Sequence, residues 1–119
     1  MQGYKDLLVW QKAMDLVVAI YRVTQSFPRT ETYGLANQMQ RAAVSVPSNI
    51  AEGHGLKQTQ AYLRHIAAIA SSLAELETQL EVSDRLGYVS SEEKSIVAGQ
   101  ANEVGRMLTG LRRSLQSKT

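Results

Sequence analysis

Residues 40–55 read QRAAVSVPSNIAEGHG and decide the fold, because they combine a helical pattern with a helix-breaking residue. Ala42, Val46 and Ile50 recur every four residues, which is a spacing typical of the buried face of an α-helix. Pro47 falls inside this pattern, where proline removes one backbone donor and presses on the preceding turn. We therefore predict a helix with a kink or a short break at Pro47. The alternative is a functional break in the helix at which a ligand binds.

Polar side chains accompany the apolar ones on this helix. Arg41 and Glu52 lie three turns apart, about 16 Å by helical rise, so they do not pair with each other. In an antiparallel pair of helices Arg41 instead reaches Glu75. Asn49 is placed to bond backbone groups that Pro47 leaves free. We expect a buried network that fixes helix register, in which loss of one member costs about 3–5 kcal/mol. Its members are Arg41, Asn49, Glu52, Ser72 and Glu75.

Four segments show helical periodicity. In the first, the predicted core stripe is Leu7, Trp10, Met14, Val17, Tyr21 and Thr24, which Leu16, Ile20 and Val23 widen. The third and fourth have apolar seams with steps of 4, 3, 4, 3 and 4 residues. The predicted helices are residues 5–25, 33–52, 60–86 and 91–116. The seams are Tyr62, Ile66, Ile69, Leu73, Leu76 and Leu80, and then Val97, Ala101, Val104, Leu108, Leu111 and Leu115.

Residues between these segments favour helix ends. Ser90 and Glu93 have the spacing of a capping box. Threonines at the starts of the second and third helices can cap them, and glycines with positive φ can end helices. The remaining expected caps and stops are Thr30 or Thr32, Thr59, Gly53, Gly55 and Gly87.

Four amphipathic helices with short connections predict an all-α fold, an up-down-up-down antiparallel four-helix bundle. The 119 residues fit one domain, residues 1–119. The chain has no cysteine, so disulfides and thiolate chemistry are excluded. No apolar run approaches the ~20 residues of a membrane span, and the amphipathic start is unlike a signal peptide. We expect a cytoplasmic protein without a membrane partner.

Catalytic motifs are not found. His54 and His65 are the only histidines, and they form no metal-binding pair. The carboxylates of the third helix lack the Glu-x-x-His spacing of di-metal bundles. We therefore expect no enzyme, no catalytic residue, no metal and no cofactor. A metal near Pro47 with Glu52 and His54 is the alternative that would indicate an enzyme.

Charge is distributed unevenly, although the net charge of +2 is mild. In the predicted topology the basic end collects Lys5, Lys12, Lys57, Arg64, Arg106, Arg112, Arg113 and Lys118. The acidic end collects Glu31, Glu75, Glu77, Glu81, Asp84, Glu92 and Glu93. A solvated surface is one interpretation. The other is nonspecific, salt-sensitive binding of RNA or DNA phosphates, because no interleaving of aromatic and basic residues is evident.

Small residues line one face of each of the last two helices. Interior glycine costs about 1 kcal/mol relative to alanine, so the three glycines of the fourth helix suggest the close approach of another backbone. Tight packing within the monomer, simple tolerance and a subunit interface remain alternatives. The residues are Ala67, Ala70, Ser71 and Ala74, and then Ala98, Gly99, Asn102, Gly105, Thr109 and Gly110.

The chain resembles the 23S rRNA intervening-sequence proteins, also called the four-helix bundle protein family. RAA at 41–43, Ser45 and NIAEG at 49–53 carry the resemblance, and HGL at 54–56 departs from it. Ser71 is a second departure, because that family often has glycine there. Further matching positions are Gln38, Phe27-Pro28, Tyr33-Gly34-Leu35, Ser72 with Glu75, and Leu86-Gly87-Tyr88.

The resemblance implies a ring of five bundles. It also implies a relation to the accessory variability determinant proteins of diversity-generating retroelements, which bind nucleic acid and a reverse transcriptase. By this analogy we predict a non-enzymatic homo-oligomer, a homopentamer, that binds RNA or DNA through the basic end. A protein–protein assembly module that binds a protein partner and no nucleic acid is the alternative.

Overall fold

The computed structural model describes residues 3–118 and contains four α-helices and no strand within that range. Each helix packs against two neighbours in a closed ring, α1 on α2, α2 on α3, α3 on α4 and α4 on α1. The result is the predicted four-helix bundle, 46 Å long and 23 by 22 Å across. The helices are α1 Leu8–Thr24, α2 Leu35–His54, α3 Thr59–Arg85 and α4 Ser91–Gln116, with short 3-10 turns at Tyr4–Asp6 and Arg29–Glu31.

The core follows the two predicted heptad seams. Every seam residue of α3 is buried, and those of α4 are buried except Leu111, which is half-buried. The last turns of α4 extend along the start of α3, where Tyr62, Ile66 and Leu115 form a second, smaller core. The seam spacing therefore located the buried faces of both helices.

The centre of the predicted α1 stripe is wrong in its position, although Thr24 and the widening residues are buried as expected. Met14 and Tyr21 are 38% and 44% exposed, and Trp10 and Val17 are half-buried. The buried stripe is rotated by about one residue, because Ala13 and the widening residues Leu16, Ile20 and Val23 face the other helices. Both stripes have helical spacing, and the structure buries the one with smaller and branched side chains.

Helix α2 continues through Pro47 without a break, and Pro47 itself is buried. The positive φ expected at Gly53 and Gly55 is not found. Gly53 is helical, and a Cβ there would lie 2.8 Å from Cδ1 of Tyr62 and 3.1 Å from Cβ of His65. Glycine is therefore required at position 53 by the close approach of α3 and not by backbone conformation.

The helix ends differ in how they are stabilised. Ser90 and Glu93 form the predicted capping box. Gly87 has φ +77°, and the amides of Gly87 and Tyr88 donate to Asp84 and Ser83, which is a Schellman motif.

The predicted threonine caps are wrong. Glu31 Oε1 accepts from the Leu35 amide at 3.1 Å and stabilises the start of α2, where no threonine is placed to cap. Thr59 is the first residue of α3 rather than its cap.

Candidate nucleic-acid interface

The basic end forms where the beginning of α3 meets the end of α4. The second core, built on Tyr62, Ile66 and Leu115, holds these two helix ends together. A four-residue connection joins α2 to α3 at the same end, and the turn Tyr4–Asp6 packs on α1 and α2 there. Lys57, in that connection, and Lys118, beyond α4, therefore lie at one end of the bundle.

The cations of the basic end are exposed and unpaired except for Lys12, which is half-buried and paired. Lys12 lies 3.4 Å from Glu103 and joins α1 to α4. No other member of the basic end has a carboxylate within 4.0 Å among residues 3–118. The free cations are Lys5, Lys57, Arg64, Arg106, Arg112, Arg113 and Lys118.

Some charged groups at the acidic end are paired instead, whereas Glu75, Glu77 and Glu92 have no cation within 4.0 Å among residues 3–118. Lys94 donates to Glu81 at 2.7 Å and to Asp84 at 2.9 Å, and these hydrogen bonds raise the pKa of Lys94. The hydroxyl of Tyr88 donates to Glu31, which raises the pKa of Tyr88. These side chains tie helix ends to one another.

The structure divides the expected polar network into two parts, and neither is a buried ionic cluster. Asn49 Oδ1 lies 2.8 Å from His65 Nδ1 and accepts its hydrogen bond, and Glu52 Oε2 lies 3.8 Å from the same nitrogen. The Asn49 amide donates to Ser45 O, whereas Pro47 frees the carbonyl of residue 43, so the expected role of Asn49 is corrected. Helical geometry explains this, because a side chain reaches the carbonyl four residues before it.

The other part borders a groove between α2 and α3. Arg41 and Glu75 are both exposed and form no ion pair, which corrects the expected burial of Arg41. The hydroxyls of Ser45 and Ser72 bond across the floor of the groove. The groove has a volume of about 410 Å³ and is lined by Tyr33, Asn37, Gln38, Arg41, Ala42, Ser45, Ser72 and Glu75.

Tyr33 was missed as a candidate by sequence reasoning. It lies in the turn before α2 and is 93% exposed. Tyr33, Asn37 and Arg41 are spaced by four residues, which places them along one side of α2. That spacing was the available signal, but Arg41 was considered only as a member of a buried network, and Tyr33 and Asn37 were not considered as candidates.

A second, apolar groove lies between α1 and α2. Its volume is about 280 Å³, and Trp10, Met14, Val17, Val44 and Pro47 are among its lining residues. The displaced stripe of α1 forms one wall of this groove, and buried Pro47 forms part of the other. The groove therefore exposes apolar side chains that a fully closed bundle would cover.

The small-residue faces are largely open to solvent, although Ala98 packs against the core and Gly105 and Thr109 are half-buried. A Cβ at Gly99 or Gly110 would meet no atom within 4 Å, and one at Gly105 would meet only Leu73 Cδ1 at 3.9 Å. The alanines and Ser71 on α3 are exposed as well. Tight packing within the monomer therefore does not explain these glycines.

Within residues 3–118 no cluster of three or more His, Asp or Glu side chains is arranged to hold a metal ion. None of the helices in the same range is both long and apolar enough to cross a membrane.

The fold and the exposed cations define the chain as a four-helix bundle protein with one strongly basic end. Residues 5–110 match the 23S rRNA-intervening sequence protein family, and the chain belongs to that family. A crystal structure of a protein of unknown function from the S23 ribosomal protein family of Bacteroides thetaiotaomicron has the same fold. Its TM-score is 0.82 at 18% identity, with 88% of this chain and 98% of that chain covered. No functionally curated protein matches the chain.

Proposed function

We propose that the chain is a non-enzymatic homo-oligomer that binds RNA or DNA through the phosphates at its basic end. The observation that carries this proposal is the absence of carboxylate partners for the cations of the basic end, Lys12 excepted, within residues 3–118. An unpaired arginine or lysine releases a condensed counterion when it neutralises a phosphate, so clustered cations bind nucleic acid without reading its sequence. The proposal includes a cytoplasmic location, because RNA and DNA occur there.

Assembly supports this function because several copies would place their basic ends side by side. The open glycines at positions 99 and 110 leave room for a neighbouring backbone. A pentamer, and a relation to the accessory variability determinants, follow from the sequence resemblance and are part of the proposal. Light scattering at low and high salt tests the assembly. A mass near five chains supports the pentamer, and a monomer at both salt concentrations contradicts it.

Binding is tested by fluorescence anisotropy with labelled RNA at several salt concentrations. Arg112→Gln/Arg113→Gln removes two free cations of the basic end. If each contacts one phosphate, affinity at 0.1 M salt falls by roughly 25- to 60-fold and the salt dependence becomes shallower. Arg29→Gln/Arg85→Gln is the matched control, because it removes the same charge near the other end of the bundle. Equal losses in the two double variants would contradict a localised interface.

A protein-assembly module without nucleic-acid binding is the second candidate. The apolar groove between α1 and α2 favours it, because Met14 and Val44 remain 38% and 39% exposed. An oligomer or protein complex that forms normally, together with no RNA or DNA binding at low salt, would support this candidate over the first.

A further inference from the structure

The groove between α2 and α3 contains hydrogen-bonding groups that the fold does not use. The side chains of Arg41, Asn37 and Gln38 have no hydrogen-bond or ion-pair partner within the described range, and the same is true of the Glu75 side chain across the groove. Ser45 and Ser72 satisfy each other on its floor. Exposed polar side chains are common, but here a cation, two amides and a carboxylate converge on one volume of about 410 Å³.

Tyr33 adds an aromatic surface to this groove. Its ring is 93% exposed, in contrast to Phe27, which packs against Tyr88. An exposed tyrosine ring and an unpaired arginine that line one groove form a combination that binds unstacked nucleobases, because the base stacks on the ring and the guanidinium bonds a phosphate. The groove is also within the size range of small-ligand sites, about 300–1,000 Å³.

We infer that this groove binds a single unstacked nucleotide, with the base on Tyr33 and the phosphate on Arg41. Glu75 then faces the edge of the base, where a carboxylate accepts hydrogen bonds and donates none. Bases with an exocyclic amino group, such as adenine, are favoured over uracil for this reason. This inference rests on the proposed binding of nucleic acid and adds the part of the chain that holds the bases.

The groove and the basic end are separate sites that share helix α3, the groove with α2 and the basic end with α4. About 20 Å of helical rise lies between Arg41 and the end of α2 at His54. At the 3.4 Å rise of a helical strand this distance corresponds to about six nucleotides, and a more extended strand bound at both sites covers it with fewer. The nucleotide in the groove belongs either to such a strand or to a free mononucleotide, and the two sources share the same chemistry.

The test compares four ligands by anisotropy or calorimetry: a 12-nucleotide oligo(A), a 12-nucleotide oligo(U), a G·C-rich RNA duplex of 12 base pairs, and AMP. We expect Tyr33→Ala to weaken oligo(A) binding by about 5- to 100-fold, which is the range for loss of one stacked base. Duplex binding stays within about twofold, because paired bases cannot enter the groove. Glu75→Gln reduces the preference for oligo(A) over oligo(U).

Matched controls are available on another face of the bundle. Tyr21 and Arg22 are exposed residues of α1, so Tyr21→Ala and Arg22→Gln make the same chemical changes away from the groove. They should leave oligo(A) binding unchanged, whereas Arg41→Gln should weaken it. Thermal unfolding of each variant should match that of the unmodified protein, because all four side chains are exposed. If AMP competes with oligo(A), the groove binds free nucleotides as well as strands. If AMP does not compete, the groove binds strands only.

The outcomes separate this inference from the proposed function. If Arg112→Gln/Arg113→Gln weakens binding and Tyr33→Ala does not, the groove inference is wrong and the basic end remains. If Tyr33→Ala weakens only single strands and the arginine double variant has no effect, the groove remains and the basic end is wrong. If the unmodified protein binds none of the four ligands, both are wrong.

Discussion

The two ends of the bundle use their charged residues differently. At the acidic end, Lys94 bridges Glu81 and Asp84, and Glu31 accepts hydrogen bonds from Tyr88 and from the α2 backbone. At the basic end, arginines such as Arg112 and Arg113 have no carboxylate within 4.0 Å. The difference teaches that the carboxylates that bond at the acidic end support the fold, whereas the cations of the basic end, Lys12 excepted, remain available for a partner.

Because few ion pairs join the helices at the basic end, packing must hold it together. A substitution at Gly53 is the strongest test of that packing. Gly53→Ala places a Cβ 2.8 Å from the Tyr62 ring and 3.1 Å from His65 Cβ, so α2 and α3 must separate or Tyr62 must move. We expect a loss of about 1–3 kcal/mol in the free energy of unfolding. Urea unfolding measures it. Gly55→Ala is the control, because the nearest atoms to its Cβ are 3.6 Å away. Equal effects of the two substitutions would remove close packing as the cause.

At the acidic end, loss of the capping box should have the next largest effect. Ser90→Ala removes the acceptor for the Glu93 amide, and an N-cap substitution of this kind costs about 1 kcal/mol. Ser91→Ala changes the neighbouring exposed serine and should stay within ~0.5 kcal/mol. Thermal unfolding of both variants gives the comparison. A stable Ser90→Ala protein would mean that the acidic end does not depend on this cap.

The open glycines provide a prediction of opposite sign. Under conditions in which the chain is monomeric, Gly110→Ala should raise the free energy of unfolding by up to about 1 kcal/mol, since its Cβ meets no atom within 4 Å. If a second copy covers this face, the same substitution should lower the assembled mass in light scattering. A destabilised monomer would contradict the open environment of Gly110.

Charge neutralisation should have the smallest effects, and they should differ between the ends. Lys94→Met leaves Glu81 and Asp84 without their cation and should lower the melting temperature slightly. Because the folded protein raises the pKa of Lys94, this stabilisation is complete below the ordinary pKa of lysine and is lost as pH rises through the raised pKa. The difference in melting temperature between Lys94→Met and the unmodified protein should therefore be constant near neutral pH. It should disappear at strongly alkaline pH.

Arg112→Gln/Arg113→Gln should instead leave the melting temperature unchanged or raise it slightly at low salt, because it relieves repulsion between like charges. That rise should vanish at high salt, where exposed charges are screened. A melting temperature that falls in the arginine variant and not in Lys94→Met would reverse the comparison between the two ends.

Much of the fold could be predicted because its signals are periodic. The α3 and α4 seams repeat every seven residues, and a period of that kind identifies a buried face without knowledge of the partner. The α1 stripe could not be chosen in the same way, since Trp10, Met14 and Tyr21 have the same spacing as the residues that are buried. Packing against α2 and α4 makes that choice.

The candidate sites were less predictable for a related reason. Arg41 was expected to be buried because its partner Glu75 is placed opposite it, but sequence spacing does not give the height of a side chain above a groove. Tyr33 precedes the helix, so its exposure depends on the turn and on Glu31, which stabilises the start of α2. The cations of the basic end are unpaired because nearly all carboxylates lie too far from them. That distance depends on the three-dimensional arrangement of the helices.

The closed ring of helix contacts has a consequence for the order of folding. Three of its four interfaces join helices that are consecutive in sequence, whereas the α1–α4 interface, with Lys12 and Glu103, joins the two ends of the chain. Contacts between distant residues carry the larger loop-closure entropy and tend to form late. We expect substitutions between α2 and α3 to slow folding, and substitutions between α1 and α4 mainly to accelerate unfolding. The bundle would then open first where its first and last helices meet.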